Sequence, residues 1–356
     1  MIKVALVGIG NCASALVQGV SYYRQNSDAP GLIIKEVCGF TPSDIEFTSA
    51  FDVDSSKVGF SLDKAIFSGK NNTIKISDNI ENASCIVAPA PVFDGAGRSY
   101  REKIDLIEPD EYSEYNVNKI LSSSKPDVLV NYLPVGSEQA TQFWAKKCIE
   151  YNIGFINAIP SFIVSDPKWA KQFSDSKTPC VGDDVKSQVG ATIIHRALVH
   201  LFSSRGAKVD STYQLNFGGN MDFYNMLEDG RLISKKKSKL SSVRHEIPNI
   251  EENMIHISPT DYIQFLEDQK IAYINIIGRG FAGTPMEVEC KLKVWDSPNS
   301  AGVVIDLIRF VAAAKIAGHF GPLPICPFYF KSPPYNLTDV EAEKIAYETA
   351  SKIVKM

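Results

Sequence analysis

Apolar positions open the chain almost without interruption, Ile2-Lys3-Val4-Ala5-Leu6-Val7, and stop at the turn Gly8-Ile9-Gly10-Asn11-Cys12-Ala13. A run this short, closed by glycine, predicts a buried parallel strand. A helical pattern follows from Ser14 to about Tyr23, and Ile45–Phe51 predicts a second strand that ends at Asp52. Between them Arg24–Asp44, with Pro30, Gly31 and Pro42, is an insertion that delays the second strand. Further parallel strands are predicted at Ala83–Ala88, Asp127–Tyr132 and Gly154–Ala158, each closed by Pro, Asn or Gly. Helical patterns lie between them, Glu138–Tyr151 included. After a helix from about Ala191 to Ser203 the pattern changes. Thr212–Phe217, Tyr273–Gly278 and Met286–Trp295 are rich in β-branched and aromatic residues and have no regular helices between them. A long helix then runs from Ser300 to about Gly318, and the tail from Asn336 is another, capped near Thr338.

This order predicts the α/β class: an NAD-binding, Rossmann-type doubly wound parallel sheet with a second α+β domain bearing an open sheet. The first domain is expected over residues 1–205 plus 300–356, the second, catalytic and oligomerising, over 206–299. An open sheet needs cover on its second face, so association with further copies is expected. The 356 residues carry a net charge of −4, which argues against nucleic acid or an anionic membrane as main partner. No apolar stretch reaches membrane length and no signal peptide precedes the first strand, so a cytoplasmic location is expected. The seven cysteines are scattered without a C-x-x-C pair, the usage of reduced, buried thiols rather than of zinc ligands.

The glycine turn has the context of a dinucleotide site. Gly8 allows the tight bend, Gly10 lets the backbone approach a pyrophosphate, and Ala13 takes the third small position where helix meets strand. Asn11 and Cys12 open the helix whose free N–H groups face the anion. Asp52 at the second strand's end can hold the adenosine ribose and repel a 2′-phosphate, favouring NAD over NADP. The strand ends at Asn131 and Ala158 are candidate nicotinamide and ribose contacts, although ordinary turn chemistry also explains them.

Three further segments carry candidate chemistry. Lys235 and Lys239 stand four apart in Ser234–Lys239, after Asp222 in Gly218-Gly219-Asn220-Met221-Asp222. Crowded ammonium groups depress one another's pKa and suit acid–base work, although such a run is also an ordinary solvated face. In Gly182–Gly190, Ser187 and Gln188 precede a helix and are candidate phosphate ligands, with Asp183 or Asp184 as cation or ribose contacts; an N-capping loop is the plain alternative. Lys331, inside Phe328-Tyr329-Phe330-Lys331, is either a snorkelling side chain or a desolvated catalytic amine. His195 and His200 have the spacing of structural residues, and His256 is a candidate pocket residue. From these residues alone, an ordinary NAD-dependent dehydrogenase of a sugar phosphate and a non-catalytic NAD-binding module both remain open.

Gly8–Ala13, Asn131–Glu138, Gly182–Gln188, Gly218–Asp222, Ser234–Lys239 and Trp295–Gly302, taken in order, resemble the inositol-1-phosphate synthase family in its shorter archaeal and bacterial form. The resemblance spans nearly the whole chain. It implies conversion of glucose 6-phosphate to 1L-myo-inositol 1-phosphate with NAD, by a homotetramer. It also places the family's lysine pair on Lys235 and Lys239, its late lysine on Lys331, and its acidic partners on Asp184 and Asp222 with Asp306 nearby. Ser187, Gln188 and Lys239 would hold phosphate. Longer eukaryotic members carry a further lysine where His256 aligns, and a requirement for a divalent cation or ammonium stays open.

Overall fold

The computed structural model describes residues 1–228 and 250–352. Its strands are β1 (Ile2–Val7), β2 (Ile45–Asp52), β3 (Val87–Pro89), β4 (Val128–Asn131), β5 (Gly154–Asn157), β6 (Pro179–Val181), β7 (Lys208–Gly218), β8 (Ile255–Tyr262), β9 (Gln269–Arg279), β10 (Pro285–Trp295) and β11 (Gly321–Pro322). The longer helices are α1 (Asn11–Gln25), α2 (Glu114–Ser124), α3 (Glu138–Tyr151), α4 (Pro167–Asp175), α5 (Ala191–Ser204), α6 (Asp296–Ala317) and α7 (Asp339–Lys352).

Among the described residues the strands form two sheets. The first, ordered β11-β6-β5-β4-β1-β2-β3, is parallel throughout. The chain runs outward from β1 to β3 on one side, then returns to β4 and runs outward on the other. The order therefore reverses between β1 and β4, and a crevice opens beyond their carboxyl ends, where doubly wound sheets bind ligands. The α/β expectation holds. Strand β1 is buried except at Lys3, as befits a strand covered on both faces. Helix α6 packs against α1, β5 and β6 and is buried along nearly its whole length, so it belongs to this sheet's core although it follows the second sheet in sequence.

The second sheet, ordered β10-β9-β7-β8, is mixed: β7 and β10 flank β9 antiparallel, and β8 lies parallel on the edge beside β7. Helix α5 covers one face, where Val199, Phe202, Val209, Ile274 and Ile276 form a core. Tyr213, Tyr273 and Ile277 stay exposed on the other.

Several elements depart from the sequence expectation for identifiable reasons. Only Val87–Pro89 of the third strand pairs with β2, because the carbonyls of Ala83 and Cys85 accept instead from Asp63 and Leu62, at the start of a helical turn. Strand β8 was hidden by Pro259 and Asp261. Proline is tolerated there because β8 is an edge strand, and its register with β7 shifts at that point. Strands β6 and β11 are three and two residues long, too short to show a period.

Asp306 is also corrected. It lies fully buried in the middle of α6, paired with the Arg309 guanidinium and accepting from the Tyr329 hydroxyl at 3.1 Å. Arg309 in turn donates to the carbonyls of Ile34 and Lys35, so the pair ties the insertion after α1 to the core. A helix apolar on every side can hold an ionised pair only by satisfying it internally. Asp306 is a structural residue and does not face the crevice.

Candidate active site

The crevice is built from the glycine turn outward. Gly8 has φ +83°, and a Cβ there would lie 2.7 Å from the Tyr132 carbonyl oxygen just beyond β4, so only glycine fits the bend from β1 into α1. A Cβ at Gly10 would meet nothing within 4 Å, which leaves the approach to α1 open. Helix α1 begins without a side-chain cap and without an acidic residue in its first turn, so its free N–H groups and positive dipole end are offered to an anion. Ala13 is fully buried and packs helix on strand rather than lining the crevice. Asp52 does line it. Its Oδ2 accepts from the Ile9 N–H, while Oδ1 accepts from Val53 and Asp54, so the carboxylate locks the turn onto the end of β2.

Two asparagines without any motif to single them out complete this end. Asn71 donates to the Ile9 and Ile66 carbonyls, and Asn72 exchanges hydrogen bonds with the Asn11 side chain. Asn131, by contrast, is wholly buried. It donates to Asn157 and Thr141, tying the ends of β4 and β5 together, and does not reach the crevice; Ala158 does.

The opposite wall comes from the segment before α5. Residues 183–186 pair with 329–332 through backbone bonds: Asp183 and Ser332 exchange two, the Lys331 N–H donates to the Asp184 carbonyl, and the Lys186 N–H donates to the Tyr329 carbonyl. This pairing separates the two acids. Asp183 turns inward and accepts from the N–H groups of Ile163, Val164 and Ser165, from the Ser165 hydroxyl and from Asn157, which anchors a loop. Asp184 faces the crevice and receives Lys331 Nζ at 2.7 Å. Ser187 lines the crevice next to the N-terminus of α5, another uncapped helix start with no acid in its first turn. Gln188 does not line it, because its amide donates to the Gly31 carbonyl on the far side.

The second sheet supplies the third wall. Gly219 comes so near the Ile263–Glu267 turn that a Cβ would lie 2.5 Å from the Glu267 nitrogen and the Ile263 oxygen. That close approach directs Asn220 into the cap of a helical turn, Met221–Asn225, where it accepts from the Asp222 and Phe223 amides. Asp222 lines the crevice. The β7–β9 register sets Lys270 opposite Gly218, and its Nζ meets Asp296 Oδ1 at 3.2 Å within the crevice wall. Lys270 was missed because a lysine at the start of a strand carries no sequence signal by itself. His256 is corrected: it sits exposed on β8, outside the crevice, opposite Tyr213 on the uncovered face. His195 lies buried between Thr212 and Gln214, and burial pushes its pKa down to about 4, so it is neutral at pH 7. Burial pushes the Cys12 thiol up to about 12. Lys235 and Lys239 lie outside the described residues.

One crevice thus joins two uncapped helix starts, Asp52, and five lysines, Lys57, Lys70, Lys186, Lys270 and Lys331, of which Lys331 pairs with Asp184 and Lys270 with Asp296. Two anion-binding ends suit a dinucleotide diphosphate on α1 and a second, phosphorylated ligand on α5. The open Gly10, the uncapped α1 and the anchored Asp52 fit a dinucleotide. Among the described residues no group of three or more His, Cys, Asp or Glu is placed to hold a metal ion, and no helix is long and apolar enough to cross a membrane.

Comparison with known proteins gives consistent results. Residues 190–297 match the family model described as Myo-inositol-1-phosphate synthase. The chain is 49% identical over 347 residues to inositol-3-phosphate synthase of Mycolicibacterium smegmatis, covering 95% of this chain and 94% of that one. It is 48% identical over 351 residues to the protein of the same description from Corynebacterium glutamicum, covering 95% of each. In fold it is similar to a myo-inositol-1-phosphate synthase-related protein from Thermotoga maritima, with a TM-score of 0.81 and 24% identity over 98% of both chains.

Proposed function

Because the chain belongs to the myo-inositol-1-phosphate synthase family, we propose that its crevice converts D-glucose 6-phosphate to 1L-myo-inositol 1-phosphate. The reaction is an isomerisation: oxidation at C5, loss of a C6 proton to give an enolate, attack of that carbon on the C1 aldehyde, and reduction of the C5 ketone. NAD held on the N-terminus of α1 and by Asp52 would supply the hydride acceptor and donor for C5, with no net redox change. The observation that carries this reading is that Lys331 and Lys270, each fixed by a carboxylate, line the same crevice as the two helix starts. Negative charge grows on the C5 oxygen during enolisation and on the C1 oxygen during ring closure, and fixed ammonium groups in a partly dry site stabilise it.

In this reading Lys331 and Lys270 hold those oxygens, while Asp184 and Asp296 keep the two ammonium groups in place. Lys235 completes proton transfer around C5 and C1, and Lys239 joins Ser187 and the α5 N-terminus on the substrate phosphate. Asp222 orients a lysine or passes a proton. Asp52 takes the adenosine ribose, which favours NAD over NADP. Residues 206–299 act as the catalytic and oligomerising domain. The uncovered face of the second sheet, where the exposed Tyr213, Tyr273 and Ile277 stand among Glu287, Glu289 and Lys291, is the surface this reading buries between copies in a homotetramer.

Incubation of the purified protein with NAD and glucose 6-phosphate tests the assignment, with the product identified by phosphorus NMR and NADH followed by absorbance. The expected result is inositol 1-phosphate formed without accumulation of NADH. Steady growth of NADH with substrate would instead mark an ordinary dehydrogenase.

A further inference from the structure

The crevice has a tyrosine that nothing above uses. Tyr100 sits on the helical turn Arg98–Arg101, which packs against the turn carrying Asp222. It lines the crevice together with Gly10, Asn11 and Cys12. The charges of Asp222, Asp52 and Asp54 all bear on its phenol, as does Cys12. In the reading above Asp222 serves the sugar and Asp52 the adenosine, and the phenol lies within electrostatic reach of both, in the crevice onto which the first turn of α1 opens. Its hydroxyl has no hydrogen-bond partner among the described residues and is not shut off from the crevice. Tyr132, the other phenol lining this space, differs: its Oη is buried and unpartnered within the wall, so it is not available to a ligand.

From this placement we propose that Tyr100 donates its phenolic hydrogen to the diphosphate of the bound dinucleotide, clamping it against the N-terminus of α1. The proposal rests on the dinucleotide reading above and assigns that site one further residue. Burial and the surrounding acids raise the phenol's pKa, which keeps the group a donor at every working pH and excludes it as a base. A hydrogen bond from a neutral donor to a charged oxygen is among the stronger ones available to a side chain. The clamp also couples the two ends of the crevice, since the turn that carries Tyr100 rests on the turn that carries Asp222.

The test is calorimetric titration of the wild-type protein and Tyr100→Phe with NAD, ADP-ribose and adenosine. Phenylalanine keeps the ring and its packing. Loss of the donor is expected to weaken NAD and ADP-ribose about tenfold and to leave adenosine, which has no phosphate, unchanged. The melting temperature of the ligand-free variant should match that of the wild type, because the hydroxyl bonds to no described residue. Unchanged NAD affinity in Tyr100→Phe would overturn the clamp, as would an equal loss for adenosine, or a fall in kcat at saturating NAD with affinity intact. A wild-type protein that bound none of the three would overturn the dinucleotide reading itself, an outcome distinct from failure of the clamp.

Discussion

Replacing Lys331 with methionine is expected to lower kcat for glucose 6-phosphate by about 10²–10³-fold while NAD affinity stays within about twofold. The ammonium group is held at 2.7 Å from Asp184 and is largely buried at the crevice wall, so its position is set before substrate arrives. A preorganised charge of this kind acts on the transition state, where the C5 and C1 oxygens carry more negative charge than in the sugar itself. Its loss should therefore appear in kcat more than in KM. Methionine keeps the length and apolar bulk of the stem, which limits the structural consequence to loss of the ion pair with Asp184. Lys331→Arg restores the charge but not the shape, since a planar fork cannot occupy the place of a compact ammonium group. It should recover only a small part of the activity. Steady-state kinetics at saturating NAD, with calorimetric titration of NAD alongside, separates the outcomes. A variant with wild-type kcat would remove Lys331 from the chemistry.

Gly10→Asp should abolish usable NAD binding without unfolding the protein. Gly10 is the N-cap of α1, with extended backbone that an L-residue adopts without strain, and the space around its absent Cβ is open. Aspartate is a favoured N-cap, and its charge complements the helix dipole. The ligand-free variant should therefore melt at or above the wild-type temperature. The same carboxylate, however, would stand about 5 Å from the dinucleotide diphosphate, a repulsion of about 3 kcal/mol at an intermediate dielectric, on the order of 100-fold in affinity. Thermal melting with and without NAD measures both effects together. A gain or retention of intrinsic stability with loss of the NAD-induced shift is the expected signature. An unaltered shift would mean that the dinucleotide lies elsewhere.

What the amino-acid pattern revealed and what it hid divide along the distance between interacting residues. The strand, glycine turn and helix at the N-terminus were legible because all three are local and each constrains the next: Gly8 bends, Gly10 opens, Ala13 packs. Helix α3 was legible from Glu138 to Tyr151 for the same reason, since its period is contained within it. Lys270 was not, because its place in the crevice depends on the register of β9 against β7, which sets it opposite Gly218 across 52 positions of sequence. The contact of Lys331 with Asp184 spans 147 positions and arises from a short backbone pairing that has no period to detect.

The corrected residues follow the same physics. Gln188 stands beside Ser187 in sequence, yet its amide is taken by the carbonyl of Gly31 in the insertion after α1, a partner no local pattern reveals. Asn131 ends a strand at the crevice, as a ligand contact would, but the neighbouring Asn157 and Thr141 consume its hydrogen bonds. Asp306 has the right residue type for a site, but the guanidinium one helical turn away claims it. In each case the side chain was identified by chemistry and then assigned by its nearest partner.

The most direct test of the central claim is a crystal structure of the protein with NAD and glucitol 6-phosphate, a substrate-like sugar without the C1 aldehyde that cyclisation requires. The diphosphate is expected on the N-terminus of α1, the sugar phosphate at the α5 N-terminus beside Ser187, and C5 about 3–3.5 Å from the nicotinamide C4. Lys331 and Lys270 should lie within hydrogen-bonding reach of the sugar oxygens. A sugar phosphate bound away from both lysines, with the nicotinamide facing empty crevice, would contradict that claim.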